Sequence, residues 1–174
     1  MQNGTFPGQF AARMDTPLGA MTAASDGASL TGLWFDGQAH CPDPSGALVR
    51  EDLPVFRSAA RWLAGYFAGS PAAPGFPLRP AGTPFQQEVW AILRTIPYGE
   101  TVTYGAIAAQ IAANRGIPRF SAHAVGGGVA RNPISILIPC HRVIGANGAL
   151  TGYAGGIARK AQLLALERGD VNLC

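Results

Sequence analysis

Pro139, Cys140, His141 and Arg142 stand together behind an aliphatic run of Ile134, Ile136, Leu137 and Ile138. The chain has only three cysteines, at positions 41, 140 and 174. Proline lacks an N–H and fixes its own φ, so Pro139 ends whatever regular element the aliphatics form, and Cys140 emerges where a buried segment turns. A thiol is mostly protonated at neutral pH, so a nucleophilic cysteine needs a neighbour that takes its proton or favours the thiolate. His141 can do this directly or through one water, and a carboxylate behind the imidazole would fix its tautomer. The nearest downstream carboxylates are Glu167 and Asp170. Spacing alone favours a plainer alternative, in which Cys140 is a buried small hydrophobe and His141 a structural histidine.

Several elements must position this pair. Thr83-Pro84-Phe85-Gln86 combines a capping threonine, a proline at the first helical position and a glutamine three residues after the cap, which predicts a helix start. Phe85, Val89, Ile92, Leu93 and Ile96 give that helix one apolar face, and Pro97-Tyr98-Gly99 stops it. Thr103 caps a second helix from Tyr104 to about Ala113. Ser121 caps a third, AHAVGGGVAR, whose Gly126, Gly127 and Gly128 each cost roughly 1 kcal/mol relative to alanine. Some requirement for a thin face must outweigh that cost. Asn147-Gly148 between short apolar runs predicts a hairpin, and a last helix covers roughly residues 157–168. Two helices joined by a turn, then a hairpin, outline a winged helix-turn-helix. Upstream, residues 14–22 and 30–35 are expected as strands and residues 53–67 as a helix. Nothing in that half suggests chemistry, and it reads as a scaffold. Between the halves, residues 69–84 hold five prolines and three glycines and form a connector.

At 174 residues, 48% hydrophobic and 13% charged, the chain is a compact globular protein of one or two domains. Residues 1–82 carry five Lys/Arg against six Asp/Glu; residues 83–174 carry eight against four. The positive charge therefore sits in the half expected to meet an anionic partner such as nucleic acid. Three widely spaced cysteines fit reduced thiols, and His40-Cys41 has no second pair to complete a zinc site, so no metal is expected. No stretch approaches the ~20 apolar residues of a membrane span. The start, MQNGTFPGQF, lacks a secretory pattern, which places the chain in the cytoplasm.

NPISILIPCHRVIGANGALTGYAGG closely resembles the active-site segment of the O6-alkylguanine-DNA alkyltransferases, whose hallmark is Pro-Cys-His-Arg-Val behind an Asn-Pro turn. PFQQEVWAILRTIPYGETVTYGAIA resembles that family's first helices, and AHAVGGGVARNP its recognition helix and the hinge after it. The similarity runs from about residue 83 to 170, with Glu167 also matching, while the N-terminal half matches only in general character. The resemblance implies an α/β (α+β) fold in two domains. Residues 1–82 would be a ribonuclease H-like α/β scaffold including the connector; residues 83–174 would be a mostly helical winged helix-turn-helix DNA-binding domain. It also implies DNA repair by a single-turnover methylated-DNA–protein-cysteine S-methyltransferase. This monomer would need no cofactor: it would flip an alkylated guanine out of double-stranded DNA through the minor groove and move the alkyl group to Cys140, with O4-alkylthymine left open as a second substrate.

Residue by residue, the resemblance makes Cys140 the acceptor, His141 the base acting through a water and Glu167 its orienting group. Tyr104 hydrogen-bonds the flipped base and donates a proton. Asn132 braces the turn, Val143 reads the guanine edge through its backbone, and Tyr153 and Ala154 supply a pocket wall and an N–H donor. Ser121, His123, Ala124, Gly126, Gly127 and Arg131 face DNA, whereas Arg142 is structural. Two departures stand out. His123 occupies the place of the family's arginine finger, with fewer donors than a guanidinium, and the loop 112–120 is longer and carries Arg115 and Arg119. A loop arginine supplying the lost charge is one expectation; weaker, more pH-sensitive repair is the other. Two other functions share these residues: an alkyltransferase-like protein that binds damage without transfer, and a cysteine hydrolase.

Overall fold

The computed structural model describes residue 6, residues 8–70 and residues 72–173; most of the first seven residues, Pro71 of the connector and Cys174 lie outside the described residues. Strands β1 (Phe10–Met14), β2 (Met21–Ser25) and β3 (Leu30–Phe35) form an antiparallel meander, and the short β4 (Leu48–Val49) adds in parallel to β1, giving the order β3-β2-β1-β4. The expected strand over residues 14–22 is instead the turn between β1 and β2. Pro17 cannot donate to a ladder, Thr16 Oγ1 donates to Gly19 O at 2.6 Å, and Gly19 takes φ 115°. Helix α1 (Pro54–Phe67) starts on a proline and packs against β2 and β3 through Val55, Phe56, Ala59, Leu63, Tyr66 and Phe67, all buried at helical spacing.

The second half begins with α2 (Pro84–Leu93). Its capping box is complete: Gln86 N donates to Thr83 Oγ1 (3.3 Å), and Thr83 N donates to Gln86 Oε1 (2.9 Å). After β5 (Val102–Thr103), helix α3 (Tyr104–Arg115) runs two residues beyond its expected end, because Gly116 closes it in the left-handed conformation at φ 63°. Helix α4 (Ala122–Ala130) is capped by Ser121 and packs on both α2 and α3. The expected hairpin does not form. Gly145 and Ala149 close a tight turn over Asn147-Gly148, but the strand before it, β6 (Val143–Ile144), pairs in parallel with β5. Helix α5 (Ile157–Arg168) follows and ends at Gly169.

Strand β3 is the edge of the main sheet, and its outer side is taken up by the second half of the chain. Leu33 N donates to Pro133 O (2.8 Å), and Ser135 N donates back to Leu33 O (2.8 Å). Beside them the connector pairs in the same way, Leu30 N with Pro77 O (2.9 Å) and Arg79 N with Leu30 O (2.8 Å). The sheet thus finishes its unpaired edge against the segment that leads to Cys140.

Candidate active site

Asn132 to Cys140 is a loop built from tight turns. Leu137 N donates to Ser135 O (2.9 Å) across Ile136, which sits at φ 70° with its side chain buried. A positive φ is a costly conformation for a β-branched residue, held only where the surroundings over-determine it. A second such turn has Pro139 at φ −81°, ψ 64°, with Cys140 N donating to Ile138 O (2.8 Å). Asn132 ties the loop together. Its amide Nδ2 donates to Ile138 O (2.7 Å) and reaches Cys140 Sγ at 3.1 Å, while its Oδ1 accepts from Ile134 N (3.0 Å). Cys140 to Arg142 then form one 3-10 turn.

His141, next to Cys140 in the chain, is fully buried, and its Nε2 lies 2.7 Å from Glu167 Oε1. Arg142 grips the same carboxylate from Nε to Oε2 (2.8 Å) and from Nη2 to Oε1 (2.9 Å), and its Nη1 donates to Ile96 O (2.7 Å). Gly99 N donates to Oε2 (3.1 Å), and Tyr66 of α1 donates its hydroxyl to Oε1 (2.7 Å). Burial by itself would raise Glu167, but the hydrogen bonds from His141, Arg142 and Tyr66 hold its carboxyl well below the usual range. An ionised Glu167 only accepts, so His141 Nε2 carries the hydrogen. Nδ1 then presents its lone pair; it is buried and has no hydrogen-bond partner among the described residues.

Burial pushes the Cys140 thiol up, against the Asn132 amide and the Lys160 charge, and it pushes His141 down, against Glu167. The resting pair is therefore a neutral thiol beside a neutral imidazole. A standing thiolate, the simplest expectation for a reactive cysteine, does not fit this environment, because desolvation penalises both charges. Were such a thiol to act as a nucleophile, its proton would have to leave during the attack, and the Nδ1 lone pair is a base without another partner among the described residues.

Tyr104 joins the site to α4. Its hydroxyl donates to Thr151 O (3.0 Å), and its ring lies 3.9 Å from where a Cβ on Gly126 would be. Lys160, buried on α5, donates to Thr151 O (2.7 Å) and to Val143 O, so the backbone of Val143 is partly occupied. Burial lowers Lys160 to about 8. Tyr153 is buried with its ring edge-on to His141 (6.5 Å between centroids), and the next residue, Ala154, accepts from Ala39 N (3.1 Å). Burial first, then the neighbouring Cys140, raise the Tyr153 phenol well above its usual value. Asn132 reaches Cys140, His141 meets Glu167 and Tyr153, Tyr104 and Tyr153 lie near Cys140, and Val143 is tied in through Lys160, whereas Ala154 makes its contact with Ala39. Asp170, the other carboxylate near His141 in sequence, plays no part in this network.

Ser121, His123, Gly127 and Arg131 lie apart from the thiol on the exposed side of α4, with Ala124 and Gly126 half-buried there. The three glycines face different ways. A Cβ on Gly128 would meet Val89 Cγ2 at 3.1 Å, and Trp90 Nε1 donates to Gly128 O (3.0 Å), so Gly128 serves the packing on α2. A Cβ on Gly127 would meet nothing within 4 Å. Of the two arginines considered for the lost finger, Arg115 is spent inside the fold. It ends α3, pairs with Glu88 (2.5 Å) and lies over the Phe120 ring (4.9 Å). Arg119 is exposed and has no ion pair or hydrogen bond among the described residues. The sequence did not point to Tyr66 or Lys160; their only signal is a polar group on an otherwise apolar helix face.

Fold and site together define a class: a helix-turn-helix protein whose second helix leads directly into a buried thiol–imidazole–carboxylate relay. Residues 84–169 match the DNA-binding domain of 6-O-methylguanine DNA methyltransferase, and residues 10–80 match the ribonuclease-like domain of the same family. The methylated-DNA–protein-cysteine methyltransferase of Mycobacterium leprae is 46% identical over 91% of this chain and 92% of its own length. Its namesake from Mycobacterium tuberculosis is 48% identical over 89% and 90%. The crystal structure of Mycobacterium tuberculosis OGT in complex with DNA superposes with a TM-score of 0.81 at 44% identity, covering 92% of this chain and 93% of that one. The chain belongs to the 6-O-methylguanine DNA methyltransferase family. Among the described residues no helix is long and apolar enough to cross a membrane.

Proposed function

We propose that the chain reverses DNA alkylation directly, moving the alkyl group of O6-alkylguanine in duplex DNA to Cys140 Sγ once per molecule. The observation that carries this reading is the buried Cys140 beside an imidazole whose Nδ1 is free and whose Nε2 is fixed by an ionised carboxylate. In the reaction His141 Nδ1 takes the thiol proton through one water, sulfur attacks the alkyl carbon, and the C–O bond breaks as the C–S bond forms. The departing guanine takes a proton from Tyr104, whose phenol burial holds protonated. Asn132 braces the cysteine turn, Tyr153 walls the pocket, and the backbone of Val143 and Ala154 faces the base edge and the departing oxygen. The guanine reaches the pocket by flipping, since its O6 is inaccessible in the stack.

Ser121, His123, Ala124, Gly126, Gly127 and Arg131 form the DNA face, with α4 in the minor groove and His123 as the wedge. Arg119 supplies the cationic contact that His123 lacks. The chain divides at the connector into a scaffold of residues 1–82 and an alkyltransferase domain of residues 83–174, and it acts in the cytoplasm as a monomer. Incubation with a duplex carrying O6-methylguanine, followed by peptide mass spectrometry, tests the reading. One methyl group on the Cys140 peptide, saturating at one per protein, is expected; repeated turnover or an unmodified Cys140 would overturn it.

A further inference from the structure

The hydroxyl of Tyr66 belongs to the scaffold half yet reaches the relay. The Tyr66 ring stacks on Trp62 (5.4 Å, 18°) and meets Phe67 and Tyr98 edge-on (86° and 79°), a packing role that phenylalanine would fill equally well. The oxygen has another purpose. It donates to Glu167 Oε1 (2.7 Å) and lies 3.4 Å from His141 Nε2, and a buried hydroxyl is costly unless bonded. Oε1 thus receives Tyr66, His141 and Arg142 together, while Oε2 receives Arg142 and Gly99.

We propose that Tyr66 is a positioning residue for the proton relay: its hydroxyl holds Glu167 Oε1 against His141 Nε2 and drains part of the carboxylate's charge, so that His141 stays neutral with Nδ1 open toward Cys140. The inference rests on the proposed function of Cys140. The charged and titratable groups around the imidazole are Glu167, Arg142 and Lys160, with the phenols of Tyr66 and Tyr153 against it and Cys140 next to it in the chain. Of these, Glu167 alone favours the imidazolium. Removing the Tyr66 hydroxyl strengthens that pull, raises the pH at which His141 protonates and loosens its orientation.

The test uses the full chain with Tyr66→Phe and two readouts across pH. One is single-turnover methyl transfer from an O6-methylguanine duplex. The other is modification of Cys140 by iodoacetamide without DNA, read on the Cys140 peptide so that Cys41 does not contribute. Transfer is expected to slow about tenfold, the loss appropriate to one hydrogen bond to a charged group, with DNA affinity unchanged. In both readouts the acid limb should move to higher pH by about half a unit. A purely structural Tyr66 would lower stability and leave the limb in place, and that result overturns the proposal, as does a transfer rate within about twofold of the parent. If Tyr66→Phe does not fold, 3-fluorotyrosine at position 66 keeps the shape and strengthens the donor. The limb should then move to lower pH, and an unmoved limb counts against the proposal. Should the parent protein fail to take up methyl at all, the proposed function fails, and the iodoacetamide arm still decides the role of Tyr66.

Discussion

The relay and the outer face of α4 are built in opposite ways. Around Glu167 each oxygen is committed, the imidazole is fully buried, and the cysteine loop is tied by one asparagine amide. On α4 and the turn before it, His123, Arg119 and Arg131 are exposed, and their side chains have no ion pair or hydrogen bond among the described residues. Proton transfer depends on distances fixed before the substrate arrives. Contact with phosphates works better through groups that have no internal partner to give up, because their binding energy comes from charge and counterion release. On the proposed function, the protein thus places its hydrogen bonds where geometry decides the outcome and leaves side chains unbonded where charge does.

The contrast breaks most visibly at Glu167. Glu167→Gln leaves the Arg142 guanidinium without its anion and His141 without its fixed tautomer. Methyl transfer should fall by roughly a hundredfold or more in a quenched-flow assay, and urea denaturation should show a loss of about 3–5 kcal/mol. DNA affinity should hardly move. Acidification probes the same network. The Glu167 carboxyl is held below its ordinary 4.5, so its contribution to stability is present above that value and fades as pH falls through it. The His141 pKa is pushed below 6.5, so protons bind the unfolded chain first, and stability also drops as pH falls below that value. Both signs agree. Denaturation midpoints should change little above pH 6.5, decline below it through His141, and decline further below 4.5 as Glu167 adds its share, at most by about 1.4 kcal/mol per pH unit for each group.

The DNA face should respond to salt. Arg119→Ala is expected to reduce the slope of log affinity against log salt by about one and weaken binding without changing iodoacetamide reactivity. Arg115→Ala makes the counterpart, since its guanidinium is already paired with Glu88. It should leave the salt slope intact and cost stability of only about 0.5–1 kcal/mol, as this pair is partly exposed. Fluorescence anisotropy at several salt concentrations separates the two. The smallest effect belongs to Gly127→Ala, which should stabilise α4 by up to about 1 kcal/mol while weakening DNA binding in the same titration. Gly128→Ala, facing Val89, should not stabilise.

Local signals made most of the second half legible. Thr83, Thr103 and Ser121 each cap the helix that begins after them and Gly169 ends the last one, because capping is decided within a few residues; the stop at Gly116 lies beyond the expected end of α3. His141 meets Glu167, the carboxylate that the resemblance singled out where residue types alone left Glu167 and Asp170 open. What escaped the sequence is decided by distant pairing. The Asn147-Gly148 signal predicted a hairpin, but Val143 found Val102 as its neighbour instead. Tyr66 reads as one more aromatic on an amphipathic helix, and its partner lies 101 residues away. Glycine counts cannot show direction either, so the split between Gly127 and Gly128 emerged only from their surroundings.

The pairing of Leu33 with Pro133 and Ser135 has a consequence for how far the chain can be shortened. A fragment starting at residue 83 would retain Cys140, His141, Glu167 and all of α4. It would nevertheless lose the backbone ladder that clamps the start of the reactive loop and the phenol that grips its carboxylate. Such a piece would keep the residues of the candidate site and lose the contacts that hold them in place.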